Sequence, residues 1–192
     1  MGMTVQLGLP ENLRAQAAAL YWQAFGQKLG RVMGPDARAL RYLHRVIRPD
    51  HAIVALEDGQ LLGLVGFKTP EAAFAGGGFG DFWAIYGIGA IWRAAVLRML
   101  ERDVDNARFL MDGLCVSEDA RGRGVGTALL AAITDEARIR GYGAVRLDVV
   151  DTNPRARALY ERQGFVAVKT AGVGVLRHVF GFDSATTMVR GV

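Results

Sequence analysis

Apolar positions recur along the chain at two spacings, which predict alternating strands and helices. A short alternating run at 4–9 predicts a first strand. The next segment, 11–29, carries apolar residues every three or four positions from Leu13 to Phe25 and predicts an amphipathic helix. Pro35 suits the first turn of a second helix, which should end near Ile47.

A hairpin is predicted in the next part of the chain. Two apolar runs, 52–57 and 61–67, flank the dipeptide Asp58-Gly59, a typical sequence for a tight turn between strands. Residues 68–81 are rich in glycine and alanine and predict a loop. A helix should follow through about Glu101, and 107–116 is predicted to be a strand.

The second half alternates between strand and helix. A helix to about Arg140 has an apolar face, with Gly141 just past its end as a left-handed cap. Strand 144–150 leads to a helix that Asn153 caps and Gly164 ends. The last strands are 165–170 and 185–190. This order predicts a mixed α/β layer structure in a single domain, 1–192, with a helical insert at about 68–106.

Composition and charge narrow the classes of function. The 192 residues carry a net charge of +4, from 23 Lys and Arg against 19 Asp and Glu, which fits an anionic ligand without identifying one. The lone cysteine, Cys115, cannot form an internal disulfide, so a reducing, cytoplasmic location and a buried thiol are expected. The three histidines match no metal-ligand spacing, so no metal is expected.

The chain shows no pattern typical of a membrane or nucleic-acid partner. The first ten residues lack the basic and apolar regions of a signal peptide. The most apolar stretch, 82–92, is about half of the roughly 20 residues that a spanning helix needs, and it predicts a buried or interfacial helix. The aromatic–basic interleaving of single-strand binders is missing. We therefore expect no membrane and no nucleic acid as partners.

Glycines and arginines are concentrated where the helix after strand 107–116 should begin. They are Arg121, Gly122, Arg123, Gly124 and Gly126. The first N–H groups of a helix lack intrahelical partners and carry partial positive charge, so such an end can bind phosphate. The glycines could instead serve only a tight turn. The segment matches neither a Walker loop nor the dinucleotide fingerprint.

The pattern Arg-x-x-Gly-x-Gly, here Arg121, Gly124 and Gly126, resembles the coenzyme A signature of the GNAT superfamily of acyl-CoA-dependent N-acyltransferases. The later segment VVDTNPRARALYERQGF is similar to the next strand and helix of that family, including Tyr160 and the pair Gly164-Phe165. The resemblance covers most of the chain and is weakest in 68–108 and 172–183.

The resemblance implies a central, mostly antiparallel mixed sheet flanked by helices. It implies an enzyme that transfers the acetyl group of acetyl-CoA, its cosubstrate, directly to a primary amine of a small-molecule or peptide acceptor. The loop would hold the pyrophosphate, and the preceding strand and Asn153 would contact pantetheine. The implied cofactor-binding residues are Leu114, Cys115, Val116, Arg121, Gly122, Arg123, Gly124, Val125, Gly126, Thr127 and Asn153. A homodimer stays open.

Tyr160 is the implied catalytic residue, because it matches a tyrosine that in the family often protonates the departing thiolate. Asn153, Ala156 and Tyr160 are spaced to lie on one helix face. A tyrosine with an ordinary pKa near ~10 keeps its proton at neutral pH and can donate it. The alternative is a core tyrosine that packs on the sheet.

The general base and the acceptor site are less defined. Four carboxylates could take the amine proton through water, and each could equally be a surface carboxylate or a cap: Asp112, Glu118, Asp119 and Asp148. Asp112 is the first choice and shares strand parity with Leu114 and Val116. The insert's aromatic residues are predicted to wall an apolar acceptor site, or else to pack in the core or a dimer: Phe74, Phe79, Phe82, Trp83 and Tyr86.

Three other functions fit part of the pattern. A coenzyme A-binding module without catalysis would need the loop but not Tyr160. A nucleic-acid binder would use the arginines, and a peripheral membrane protein would use the helix at 82–92. Turnover, a salt-dependent shift with DNA and lipid co-sedimentation would distinguish them.

Overall fold

The protein is built around one seven-stranded sheet. The computed structural model describes residues 2–98, 108–174 and 177–192. The strands lie in the order β1-β2-β3-β4-β5-β7-β6, and among the described pairs only β4 and β5 are parallel. Their bounds are Thr4–Leu7, Ala52–Glu57, Gln60–Lys68, Phe109–Val116, Ala144–Val150, Val166–Gly172 and Ser184–Gly191, for β1 to β7. The predicted mixed α/β fold with a mostly antiparallel sheet is confirmed.

Helices cover the sheet on both faces. Residues of α1 and α2 pack on one face with Leu64 and Cys115, while residues of α5 and α6 pack on the other with Phe109 and Leu147. The helices, α1 to α7, are Arg14–Met33, Asp36–Val46, Phe79–Tyr86, Ala90–Arg98, Val125–Ile139, Pro154–Arg162 and Arg177–Phe180. The site described below lies between these two layers, where the sheet opens.

The structure confirms the turn and the two helix caps that were predicted from local sequence. Asp58 and Gly59 both have positive φ, 49° and 78°, as a tight hairpin turn requires, so the predicted hairpin is confirmed. Gly141 has φ of 81° just past the end of α5, as predicted. Asn153 caps α6, because its side chain accepts a hydrogen bond of 3.1 Å from the Ala156 N–H.

The predicted helix after residue 81 differs from the structure in two ways. It begins earlier, at Phe79, and it is split into α3 and α4 by a turn at Gly87–Gly89. Gly87 has φ of 55°, which a right-handed helix cannot continue through. The predicted end near Glu101, like the rest of the insert to residue 106, lies outside the described residues. In the described part of the chain, no helix is long and apolar enough to span a membrane.

Candidate active site

The sheet opens between its two central strands. β4 and β5 are paired at Phe109–Val145 and Leu110–Arg146 only, although β4 continues to Val116 and β5 to Val150. β4 stays paired with β3 to its end, and β5 stays paired with β7. The two strands therefore diverge and leave a gap in the middle of the sheet, which we call the β4–β5 gap.

The edge of β4 that faces this gap offers free backbone groups. The Ser117 N–H donates to the Leu62 carbonyl, and hydrogen-bonded pairs alternate along an antiparallel ladder. Cys115 therefore directs its backbone groups toward β3, whereas Leu114 and Val116 direct theirs into the gap. Of the three predicted positions in this strand, Leu114 and Val116 can thus hydrogen-bond an extended ligand.

The N-terminus of α5 lies beside the end of β4 and is open. Gly124 is the N-cap, with φ of 83°, and no side chain caps the helix. Because they are the first residues of the helix, Val125, Gly126 and Thr127 have N–H groups without intrahelical partners. The first turn also contains no acidic residue. Gly122 also has a left-handed backbone, with φ of 80°. The loop therefore presents several amides and the positive end of a helix dipole to an anion.

Other residues of this loop hold its shape. The Nη2 atom of Arg123 donates to both carboxylate oxygens of Glu57 in the hairpin, at 2.8 and 2.7 Å, and Arg121 lies 3.3 Å from Glu118. A Cβ at Gly126 would come within 3.0 Å of Leu159, so this glycine permits close packing of α5 against α6. Both predicted arginines thus lie at the loop with their charges already paired.

Tyr160 and Cys115 are near enough to interact electrostatically, although their side chains pack in the cores on opposite faces of the sheet. Burial raises the pKa of Tyr160 above its ordinary value, and the Cys115 thiol adds to the rise. The Tyr160 hydroxyl makes no hydrogen bond to any described residue. Burial likewise raises the pKa of the Cys115 thiol, with a smaller contribution from Asp112. Both groups are protonated at neutral pH. The rise makes Tyr160 a weaker acid than an ordinary tyrosine and makes Cys115 a poor nucleophile.

A cleft of about 430 Å³ opens over the gap on the α1–α2 side. Its walls combine apolar side chains, two carboxylates and one ammonium group. The lining residues include Tyr21, Leu29, Met33, Tyr42, Lys68, Phe82, Asp112, Asp148, Val150 and Phe182. Most of these residues could not be identified from the sequence, because α1, α2 and the loop after Phe180 meet at the cleft only through tertiary packing.

Asp112 faces this cleft, and the predicted strand parity is wrong. The register between β3 and β4 shifts between Gly66 and Phe67, which leaves Asp112 as an extra residue in β4. Leu114 and Val116 therefore pack toward α5. Asp112 instead lies with Tyr21 on the opposite side.

The environment of Asp112 suits a proton acceptor. Its carboxyl group is open to the cleft, yet the protein around the cleft removes enough water to raise its pKa above the ordinary value. A hydrogen bond from the Ala75 backbone and the charge of Lys68 favour the ionised form and oppose that rise. A carboxylate with a raised pKa is a stronger base than an ordinary aspartate.

The other three candidate carboxylates differ in position. Asp148 also lines the cleft, but it accepts a short hydrogen bond from the Thr187 hydroxyl and lies 3.7 Å from Arg146. Glu118 and Asp119 lie in the exposed turn that precedes the glycine-rich loop, outside the cleft. Geometry therefore favours Asp112 among the four.

The aromatic residues of the insert have two different environments. Phe74, Phe82 and Tyr86 are buried, and Phe82 lines the cleft. Phe79 and Trp83 are about half exposed, at 55% and 49%. Only part of the predicted wall therefore belongs to the cleft. Among the described residues, no cluster of His, Cys, Asp or Glu side chains could hold a metal ion.

Comparison with known proteins places this geometry in a family. A sequence model of the acetyltransferase (GNAT) family matches residues 15–165. A mycothiol acetyltransferase from Beutenbergia cavernae is 49% identical over 55 residues, which are 29% of this chain and 18% of that protein. Another, from Corynebacterium jeikeium, is 32% identical over 101 residues, 53% of this chain and 29% of that protein. The chain thus matches less than a third of either relative.

Solved structures share the fold at low sequence identity. An N-acetyltransferase from Staphylococcus aureus aligns over 97% of this chain and 100% of its own, with a TM-score of 0.68 and 13% identity. A protein from Salmonella typhimurium, solved with its cofactor acetyl-CoA, aligns over 100% of this chain and 94% of its own, with a TM-score of 0.61 and 18% identity. Both likenesses concern the fold.

The open α5 N-terminus predicts an effect of a negative charge placed there. Thr127→Glu puts an exposed carboxylate in the first turn, where it favours the helix but repels a phosphate. We expect thermal stability to stay equal or rise, and the affinity for acetyl-CoA to fall by about tenfold or more. Calorimetric titration measures the affinity.

A matched control is Ala131→Glu, which adds the same exposed charge one turn further along α5. It should bind acetyl-CoA like the unaltered protein. Equal affinities for the two variants would mean that the ligand's phosphates do not bind at this helix end.

Proposed function

The chain belongs to the acetyltransferase (GNAT) family, and we propose that it transfers the acetyl group of acetyl-CoA to the primary amine of an acceptor bound in the cleft. The observation that carries this proposal is the β4–β5 gap. It borders the cleft at Asp112 and Asp148, it exposes the free backbone groups of β4, and it lies beside the end of β4, next to the open amides of α5. The relatives' name, mycothiol acetyltransferase, supports acetyl as the acyl group.

The pyrophosphate and the pantetheine arm of acetyl-CoA would each contact a different group of residues. The amides of Val125, Gly126 and Thr127 would bind the pyrophosphate, with Gly122 and Gly124 giving the loop the backbone conformation it needs. Leu114 and Val116 would hydrogen-bond the pantetheine arm along the edge of β4. Asn153 caps α6 through its side-chain oxygen, which leaves its amide nitrogen for pantetheine.

The reaction would proceed by direct transfer. Acetyl-CoA supplies the acetyl group as a thioester. Asp112, directly or through water, would accept a proton from the acceptor's ammonium group, and the free amine would attack the thioester carbonyl carbon. A C–N bond forms and the C–S bond breaks. Tyr160 would donate its proton to the departing sulfur and regain one from solvent. The attacking nitrogen would lose its second proton to solvent as it becomes the amide nitrogen, and Asp112 would return the first proton to solvent.

The cleft favours an acceptor with an apolar body and one ammonium group. Tyr21, Met33 and Phe82 supply apolar and aromatic walls, whereas Asp112 supplies a carboxylate for the amine. Lys68 in the same lining disfavours a second positive charge nearby, and the other carboxylate, Asp148, is already bound by Thr187 and Arg146. A polyamine would therefore fit less well than a small aromatic or aliphatic amine.

The experiment that tests the function is thiol release from acetyl-CoA with a panel of primary amines. We expect amine-dependent release of coenzyme A and acetylated amine by mass spectrometry, with phenethylamine a better acceptor than spermidine. Binding of acetyl-CoA with no turnover for any amine or N-terminal peptide would instead identify a coenzyme A-binding module. Equal rates for spermidine and phenethylamine would contradict the proposed shape of the acceptor.

Tyr160→Phe tests the proposed proton donor. The hydroxyl has no hydrogen-bond partner among the described residues, so its loss should leave the thermal stability unchanged. The KM for acetyl-CoA should stay within about twofold. We expect kcat to fall by about 10²-fold, the lower range for general acid catalysis. Tyr142→Phe, in a tyrosine whose ring packs against Phe109 and which does not line the cleft, is the control. Similar kcat values for both variants would show that Tyr160 only packs.

Asp112→Asn tests the proposed base and keeps an acceptor for the Ala75 N–H. In the unaltered enzyme, kcat should rise with pH as the raised pKa of Asp112 is passed, because the ionised form is the base. The variant should lose that rise and about 10²-fold in kcat. A pH profile that keeps its shape in the variant would exclude Asp112 as the base.

The same variant has an expected stability. A carboxyl group whose pKa is raised by folding stabilises the protein below its unfolded pKa of about 3.9 and loses that contribution as pH passes the raised value. Above that raised pKa, the ionised carboxylate of Asp112 disfavours folding, whereas the side chain of asparagine carries no charge. The variant should therefore melt at an equal or higher temperature at neutral pH.

A further inference from the structure

Two basic side chains lie in one row across the cleft side of the sheet. The register places Lys68 of β3 opposite Leu110 of β4, and Leu110 opposite Arg146 of β5. Phe109 and Leu147, the strand neighbours of Leu110 and Arg146, pack on the α5 side. Because side chains alternate along a strand, Leu110 and Arg146 point to the cleft side, as does Lys68. We call Lys68 and Arg146 the basic row.

The two carboxylates of the cleft lie further along the same strands. Asp112 is two residues beyond Leu110 in β4, and Asp148 is two residues beyond Arg146 in β5. Two residues span about 7 Å along a strand. β4 and β5 part after the pair Leu110–Arg146. The carboxylates therefore lie at the open end of the β4–β5 gap, and the basic row lies at its closed end.

The ammonium group of Lys68 has no direct partner. It lines the cleft, and it forms no ion pair or hydrogen bond with any residue that the structure describes. Its charge reaches Asp112 and favours the ionised form of that carboxyl group, but the two groups are not in contact. The backbone of Lys68 is held on both sides, by Leu110 and by Ala73. A fixed cation that faces an open cleft suits the anionic group of a ligand.

Arg146 adds positive charge at the same end of the gap. Its side chain is 15% exposed, and its Nη2 atom lies 3.7 Å from Asp148, which is too far for a hydrogen bond. Its Nε atom is buried and has no hydrogen-bond partner within the described parts of the chain. Arg146 does not belong to the lining of the cleft. It therefore raises the positive potential around Lys68 without occupying the space for a ligand.

We propose that the acceptor is a free amino acid with an apolar side chain, whose carboxylate binds Lys68. The inference rests on the proposed transfer and names the class of its acceptor. The ammonium group of the amino acid lies at Asp112, toward the gap and the thioester. The carboxylate lies at Lys68, away from them. Three apolar walls of the cleft contact the side chain: Tyr21, Met33 and Phe82.

Other amines fit this arrangement less well. A simple amine has no group for Lys68, so it covers an ammonium group without giving it a partner. A polyamine brings a second positive charge toward the same lysine. The phosphate of an amino sugar could pair with Lys68, but the hydroxyl groups of the sugar would lie against Tyr21, Met33 and Phe82 without partners.

The chemical step is the transfer described above. The amino nitrogen gives one proton to Asp112 and the other to solvent, a C–N bond forms, and the C–S bond of the thioester breaks. Tyr160 protonates the departing sulfur. The product is an N-acetyl amino acid, whose nitrogen carries no charge and whose carboxylate is unchanged. Asp112 therefore loses its ionic partner during the reaction, whereas Lys68 keeps its own.

Matched acceptors test the inference. L-Phenylalanine and phenethylamine differ only in the carboxylate. We expect kcat/KM for phenylalanine to be about tenfold higher or more, because a charged group gains a charged hydrogen-bond partner. L-Phenylalaninamide has the size of phenylalanine without its charge, and it should resemble phenethylamine.

Lys68→Met keeps the length of the side chain and removes its charge. We expect this variant to lower the ratio of the two kcat/KM values, phenylalanine over phenethylamine, by about tenfold. The ratio is the readout because the charge of Lys68 also acts on Asp112, and both acceptors experience that effect. Lys169→Met is the matched control, at an exposed position of β6 outside the cleft, and it should keep the ratio.

Calorimetry measures binding without turnover. In the presence of coenzyme A, L-phenylalanine should bind about tenfold more weakly to Lys68→Met than to Lys169→Met. A ratio near one in the unaltered protein, or a ratio that Lys68→Met does not change, overturns the inference and leaves the transfer reaction in place. If no amine is acetylated, the proposed transfer fails and calorimetry decides alone. Weaker binding to Lys68→Met then supports the carboxylate site, and equal or undetectable binding overturns it.

Discussion

The site depends on the separation of two strands that begin as neighbours. β4 must stay paired with β3 and β5 with β7, so once the two part after Leu110 nothing in the sheet can close the space between them. The extra residue at Asp112 falls just after that point, and a bulge bends its strand. The same irregularity frees the backbone of Leu114 and Val116 and turns one carboxylate into the cleft.

The sequence could predict the features that rest on local backbone chemistry. The Asp58-Gly59 turn, the cap at Asn153 and the open turn at Gly124 each follow from which residues tolerate a conformation or satisfy a helix end. The direction of Asp112 could not be predicted, because it depends on a register shift opposite Gly66 and Phe67 in another strand. Pairing across the sheet decides such a shift, and the β4 segment alone does not encode it.

The positions of residues in the cleft and in the insert could likewise not be predicted from the sequence. Composition identified the aromatic residues of the insert, but only packing against Tyr42 separates buried Phe82 from exposed Trp83. Gly87 ends α3 through its positive φ, a conformation that glycine permits without requiring it. Tyr21 reads from its spacing as an ordinary core position of α1. Its place in the cleft comes from the meeting of α1 with β4 and the loop at Ala75.

The burial of Cys115 bears on self-acylation. A thioester beside a thiolate would pass its acyl group to the protein, because the thiolate is the nucleophilic form of cysteine. The only cysteine of the chain lies in β4, the strand that borders the gap. Its raised pKa keeps the sulfur protonated and therefore a poor nucleophile. In the proposed transfer, a thioester held there would therefore not lose its acyl group to this cysteine.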